Sequence, residues 1–320
     1  MTTGRRKPQF RTFDLNLLRV FDAVMSEGGV TRAALALSLT QPAVSQALRR
    51  LRDALGDELF VRAAQGLRPT PQAERLWPQV RSALASLREA VAPEHYDPQR
   101  DAVSWRLTMA DATAARLMPP LMAAIEAPGA LVDLRVMPLL TRDPRTLLDS
   151  GEADLALGSF PAAVQAITAG GPDSWLRHER LYDTRYVCVM RHDHALARTE
   201  LTLDAFCAAH HLMVSFSGRA RGRLDQALAA LGRKRRIALT VNQYFTAGRV
   251  AAQTELLAVL PESVVEATGC AELLAVRELP LAVPAVHVEM LWHLRHDARP
   301  AHLWLRERLR AAAAASEISR

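Results

Sequence analysis

Residues 30–62, VTRAALALSLTQPAVSQALRRLRDALGDELFVR, decide how the rest of the chain is read. They run as a short helix, a tight turn, a longer helix and a compact loop ending in arginine. Ala33, Ala34 and Leu37 recur at helical spacing, and the alanines are small enough to let a second helix approach closely. Ser38, Leu39 and Thr40 fit a three-residue turn. Thr40 is placed to cap the second helix, and Pro42 falls in its first turn, where a missing N–H costs nothing. Val44, Leu48, Leu51 and Leu55 then make one apolar stripe. The opposite face carries Gln41, Ser45, Gln46, Arg49, Arg50 and Arg52. Amides and a hydroxyl can read base edges in the major groove, and guanidinium groups grip phosphates. A solitary amphipathic helix of this kind is more often simply solvated on its basic face. Here the turn and the cap define a helix-turn-helix, and residues 56–62 follow as a wing folded back through Leu59 and Phe60. The candidate DNA contacts are therefore Gln41, Pro42, Ser45, Gln46, Arg49 and Arg52, with Arg62, Gln65 and Arg68 beside the wing.

Charge supports that reading. The chain of 320 residues holds 40 Lys and Arg against 34 Asp and Glu; its first 90 residues hold 14 against 8, and the remainder holds 26 of each. The whole surplus sits on the first segment, as a DNA-binding head on a neutral body requires. Hydrophobic residues make up 49% of the chain, the content of a packed protein of two or more domains. No apolar run approaches the ~20 residues that span a bilayer, and MTTGRRKPQF lacks the core of a signal peptide. A cytoplasmic, nucleoid-associated protein is the expectation. Cys188, Cys207 and Cys270 match no metal spacing and read as free, buried thiols.

The segment from Leu15 to Arg62 resembles the N-terminal domain of LysR-type transcriptional regulators: the AA-x-x-L, TQPAVS and LF-x-R elements stand at that family's spacing. QTELLAVLPESVVE resembles the branch that regulates nodulation and the breakdown of aromatic compounds. One departure is Gly29, where the family often has a capping serine; glycine costs only a few tenths of a kcal/mol there. The resemblance spans about residues 13–305. It implies an all-α winged helix-turn-helix domain, a linker helix, and an α/β domain of two hinged subdomains resembling a periplasmic binding protein.

Taken in order, residues 13–70 form the winged helix-turn-helix, with a first helix at about 14–26. Thr70-Pro71 starts a linker helix over 71–92, whose Leu76, Val80 and Leu87 seam is expected to meet a partner chain. Pro78 interrupts it, so the seam is expected as two short stretches. From Ser104 strands and helices alternate, which argues a parallel sheet with crossover helices. The expected strands are SWRLTMA, LVDLRVMPL, ADLALGSF, YVCVMR, LMVSF, IALTVNQYF and HVEMLWHLR, with LLAVLP a short apolar segment before the last. The effector domain is expected over 100–320, with subdomain I at about 100–172 and 275–320 and subdomain II at about 173–274. The terminal AAAAASEISR looks disordered.

Ligands of such sheets bind beyond the carboxyl ends of the strands. That places candidate effector residues at Asp111 and Thr113, at Gly158 and Ser159, and on the loop holding Ser215, Ser217, Arg219 and Arg221. Tyr244, Phe245 and Thr254 complete the set. His192-Asp193-His194 and His210-His211 lack a third ligand at metal spacing. No Walker loop, G-x-S-x-G or G-x-G-x-x-G occurs, so neither a catalytic residue nor a cofactor is expected. Arg233 to Arg236 reads as a solvated turn. The resemblance implies a homodimer or homotetramer on operator DNA, answering to a small-molecule effector such as an aromatic acid, with RNA polymerase a candidate partner. An enzyme with a DNA-binding head and a ligand-independent DNA binder are the rival readings.

Overall fold

The computed structural model describes residues 13–63, 66–91, 95–126, 129–141, 143–215 and 222–318. Contacts divide the chain into two units, the first Met1–Ala92 and the second the remainder apart from the short turn Asp149–Glu152.

In the first unit, α1 (Asn16–Glu27), α2 (Val30–Ala36) and α3 (Gln41–Leu55) are followed by a hairpin of β1 (Phe60–Ala63) and β2 (Gly66–Pro69) and by α4 (Pro71–Ala90). The α1–α2 turn is made by Gly28 at φ 64°, a left-handed position that glycine takes without strain. Phe21, Ala33, Val44, Leu51 and Leu59 close the core. Leu59 itself takes a positive φ of 58°. It is held there because Asp57 Oδ1 accepts hydrogen bonds from its N–H (2.7 Å) and from the Thr70 hydroxyl (2.7 Å). Thr70 in turn caps α4 by accepting from Ala73 N (3.1 Å).

Two expectations for α4 are corrected. It is one helix through Pro78, not two stretches. It also has cover within its own unit: Val80 is only 5% exposed, and Leu76 and Trp77 pack on the same core. Asp22 on α1 fastens it, accepting from Trp77 Nε1 (3.0 Å) and Arg81 Nε (3.2 Å). Of the proposed seam, only Leu87 is left facing outward, at 53% exposure.

The second unit contains two α/β subdomains. Subdomain I is built on β3 (Val103–Met109), β4 (Val132–Pro138), β5 (Leu155–Gly158), β6 (Leu176–Thr184) and, from the end of the chain, β12 (Val286–His293). Their order is β4-β3-β5-β12-β6. The helices α5 (Asp111–Glu126) and α12 (Pro300–Ile318) cover one face; α6 (Arg145–Asp149) and α7 (Pro161–Gly170) cover the other. Subdomain II has β7 (Tyr186–Arg191), β8 (His210–Val214), β9 (Arg236–Val241), β10 (Leu257–Pro261) and β11 (Leu274–Glu278), in the order β11-β7-β10-β8-β9. Helices α8 (Leu203–Ala208) and α9 (Arg223–Ala230) pack on one side, with α10 (Tyr244–Ala251) and α11 (Glu262–Val265) on the other.

Neither sheet is purely parallel: β12 runs antiparallel to β5 and β6, and β7 antiparallel to β10 and β11. Strands β6 and β11 were not expected. They also move the boundaries, because β6 belongs to the first sheet and β11 to the second. The crossovers therefore lie at β6–β7 and β11–β12, beyond the expected 172–173 and 274–275. The terminal alanines are not loose: α12 runs to Ile318, and Ala312 and Ala313 are each 2% exposed in the core against α5.

The run at 233–236 is only partly solvated. Arg235 is buried and paired with Asp225 (2.8 Å), whose carboxyl the guanidinium helps hold below its ordinary range against the cost of burial. The three cysteines are free. Burial pushes the Cys188 thiol up to about 12.

Candidate functional site

The candidate DNA-facing surface is set by how α3 is held. Thr40 Oγ1 accepts from Ala43 N at 3.4 Å, and Pro42 occupies the first turn. Val44, Leu48 and Leu51 point into the core. That leaves Gln41, Pro42, Ser45, Gln46 and Arg49 exposed on the outer face, where Gln41, Ser45 and Arg49 line up at steps of four. Arg52 is braced, 3.8 Å from the Glu58 carboxylate at the wing. Arg50 is drawn to Asp14 at 3.0 Å. Arg68 is exposed on β2. The backbone of Arg62 pairs with Leu67 across the hairpin, whereas its side chain and Gln65 fall outside the described residues. Sequence reasoning missed the Asp22 tether. A single acid on the otherwise apolar face of α1, with Trp77 and Arg81 one helical turn apart, was the signal for it.

In the second unit the candidate effector residues gather where strands end. Asp111 opens α5 just beyond β3, Gly158 ends β5 and Ser159 follows it. These strands are neighbours, Met109 lying opposite Leu157. In the other subdomain Val214 lies opposite Val241, so Ser215 and the start of α10 emerge side by side. The expected strand through Phe245 stops at Val241, and Tyr244 and Phe245 instead begin α10.

The two strand-end groups meet. Phe245 N–H donates to Asp111 Oδ2 at 3.1 Å. Asp111 Oδ1 is a buried atom with no partner among the described residues, and so is the hydroxyl oxygen of Ser215, a residue 3% exposed. Thr113, by contrast, is turned inward and hydrogen-bonded to Tyr182, over whose ring the Arg116 guanidinium lies at 4.0 Å. Burial raises the Tyr182 hydroxyl above its ordinary range despite that cation.

Thr254 is not brought to the site. Its hydroxyl donates to Val250 O (2.8 Å) and accepts from Leu256 N (3.3 Å), closing the far end of α10, about 12 Å along the helix axis from Tyr244. Ser217, Arg219 and Arg221 lie outside the described residues.

The crossovers between subdomains carry a further feature not foreseen. Arg185, between β6 and β7, bonds Glu262 at 3.0 Å and Glu278, the last residue of β11, at 2.6 Å. It thereby ties both connecting segments together. The histidines weighed as metal ligands have other partners: His211 Nε2 lies 2.8 Å from Phe206 O, and His194 Nε2 lies 3.3 Å from the Glu255 carboxylate.

Comparison with known proteins agrees with this arrangement. Residues 15–74 match the family described as bacterial regulatory helix-turn-helix protein, lysR family, and residues 99–314 match the LysR substrate binding domain. The chain is 34% identical over 308 residues to the HTH-type transcriptional activator NahR of Pseudomonas putida, covering 93% of this chain and 97% of that one. It is 30% identical to Nodulation protein D 2 of Rhizobium tropici, covering 94% and 93%. The solved structure of PA0477 from Pseudomonas aeruginosa superposes with a TM-score of 0.73 at 32% identity, over 94% of this chain and 97% of that chain. The chain belongs to the LysR family of transcriptional regulators, which couple a helix-turn-helix that binds operator DNA to a domain that binds the small molecule controlling it.

Proposed function

We propose that Gln41, Ser45 and Gln46 read bases while Arg49, Arg52, Arg62 and Arg68 hold phosphates, and that the regulator is not an enzyme and works in the cytoplasm on the nucleoid. The observation that carries this reading is the outer face of α3, capped, polar and exposed from Gln41 to Arg49. Alanine at Gln41 or Ser45 relaxes sequence preference by ~1–3 kcal/mol for each base no longer read. Alanine at Arg49, which is free of the Glu58 brace, weakens binding to all DNA and lowers the salt slope by about one. Operator and random-sequence duplexes titrated at several salt concentrations separate these outcomes. Unchanged preference in the Gln41 and Ser45 variants removes them from the groove.

The same titration addresses assembly. Dimers or tetramers spread recognition helices over half-sites about one helical turn, or a multiple of it, apart, and α4 supplies the contact through Leu87 and the neighbouring Val91, 82% exposed. Leu87→Glu lowers oligomeric state and operator affinity together. A Leu87→Glu monomer in sedimentation that binds the full operator tightly refutes the seam. Whether RNA polymerase is then contacted is decided by footprinting on the operator with and without the polymerase.

The effector proposed is an aromatic acid, its carboxylate held by Arg219 and Arg221 through bidentate charge-assisted bonds and its ring beside Tyr244 and Phe245. The similarity to NahR, a transcriptional activator, and to nodulation proteins supports a branch assignment. Calorimetry with aromatic acids and their amides, on the parent and on Arg219→Ala and Arg221→Ala, tests it. An acid is expected to bind more tightly than its amide, and each variant to weaken that binding. Equal affinity of acid and amide removes the arginines from the pocket, and effector-independent operator occupancy favours the ligand-independent reading.

A further inference from the structure

We propose that Asp111 is a latch between the two effector-domain subdomains, an internal carboxylate that holds α10 against α5 while no effector is bound. The inference rests on reading the second unit as effector-binding, and it assigns that site its regulation.

The contact joins two blocks that are rigid in themselves. On one side, Asp111 begins α5, and α5 is fixed to its own sheet by Leu117, Leu121 and Ile125 and by the Thr113–Tyr182–Arg116 cluster. On the other side, α10 packs closely against the turn at residues 266–268. A methyl group added at Gly248 would lie 2.4 Å from Thr268 Cβ, and one added at Gly269 3.4 Å from the Phe245 ring. Thr268 is itself buried and anchored by its bond to Val265 O. Whatever holds Phe245 N–H therefore holds the whole α10 block.

The chemistry suits a bond that forms readily and breaks readily. Phe245 is the second residue of the eight-residue α10, so its N–H is one of the groups the helix cannot satisfy internally. The positive end of the helix favours an anion there. Yet Asp111 Oδ1 is buried with no donor to accept from among the described residues, and Ser215 Oγ, at the neighbouring strand end, is in the same condition. A carboxylate half satisfied in this way sits well above its best-solvated state. A ligand that supplies donors to these oxygens, or an anion to α10, competes with the latch and shifts the subdomain equilibrium by its differential affinity for the two forms.

Hydrogen–deuterium exchange on the full-length, ligand-free protein is the test, comparing the parent with Asp111→Ala and Asp111→Asn. Amides of residues 244–251 are expected to exchange on the order of tenfold faster in Asp111→Ala, the loss of one bond to a charged acceptor. Asp111→Asn keeps an acceptor without its charge and is expected to fall between. Residues 244–251 touch Asp111 only across the subdomain boundary, so fraying of α5 alone is read separately from residues 112–118. Unchanged exchange at 244–251 in both variants overturns the latch, as does an increase confined to 112–118. The measurement uses neither DNA nor effector, so failure of operator binding or of acid binding leaves its result standing on its own.

Discussion

Asp22→Ala destabilises the DNA-binding unit by about 3 kcal/mol, the low end of what breaking a buried ion pair costs. Asp22 is 9% exposed, and its Oδ1 accepts from both Trp77 Nε1 and Arg81 Nε. Arg81 also bonds Ser26 and lies 4.3 Å from the centroid of the Trp77 ring, so three residues are organised around one carboxylate. Alanine takes from the indole N–H and from the guanidinium Nε the acceptor they share, in a place with little water, and its better helix propensity returns only about 0.5 kcal/mol. Asp22→Asn keeps an acceptor of the same shape and is expected to lose about half as much. Urea unfolding followed by Trp77 fluorescence, beside operator affinity, measures both. A loss below 1 kcal/mol in Asp22→Ala would show that the tether is ornamental to stability.

Mild acid is expected to unfold the effector domain. His211 and His296 are each held down to about 4, chiefly because burial penalises the charged ring. His302 is pushed well below its usual value for the same reason. His296 and His302 stack at 5.0 Å between centroids, with Trp105 edge-on to both, so a proton on one opposes a proton on the other. A histidine whose folded pKa is depressed binds protons preferentially in the unfolded chain. Its contribution is therefore fully present above about pH 6.5 and is lost as pH falls from there toward 4. At pH 5 the loss is roughly 2 kcal/mol per histidine. Asp225, Asp143 and Glu179, whose carboxyls are held low by arginine neighbours, lose their contribution only in stronger acid, as pH falls below the ordinary carboxylate values. The two effects thus occupy separate windows. Unfolding midpoints between pH 7.5 and 5 check the first, with His302→Leu expected to flatten the slope by about one proton. A flat profile over that interval would refute it.

How much of this was legible beforehand depends on whether one element or several had to be read together. Helix α3 carries its own cap, stripe and polar face, so its limits and outer residues followed from local chemistry. Strand β6 did not, since LRHERLYDT lies at a sheet edge and its charged residues hide the alternation. Strand β11, LAVRE, is the same case in the other sheet. For α4, periodicity located Val80 on an apolar seam but could not say which surface the seam covers; Asp22, over fifty residues earlier, decides it. The alanine run at the end looked featureless, yet alanine is the best helix former and small enough to bring α12 against α5. Thr254 completes the expected pocket set, and the end of α10 claims its hydroxyl. In each miss the deciding partner lay elsewhere in the chain, or the backbone outbid the site.

The place of β12 has a consequence for the order of events during synthesis. Strand β12 sits between β5 and β6, and the core of subdomain I draws Met290, Leu305 and Leu309 from the last 35 residues. Subdomain II, by contrast, is complete before β12 begins: its last strand ends at Glu278, and Leu279, Leu281 and Val283 pack on its core just after. A nascent chain emerging from the ribosome can therefore close its head first and the inserted subdomain next, while β3, β4, β5 and β6 wait with a gap between β5 and β6. A chain cut short before Val286 keeps every residue of the head and of subdomain II and still leaves those two strands without the partner that joins them. Long-range pairing of this kind is slow, and its unpaired edges are open to association while they wait.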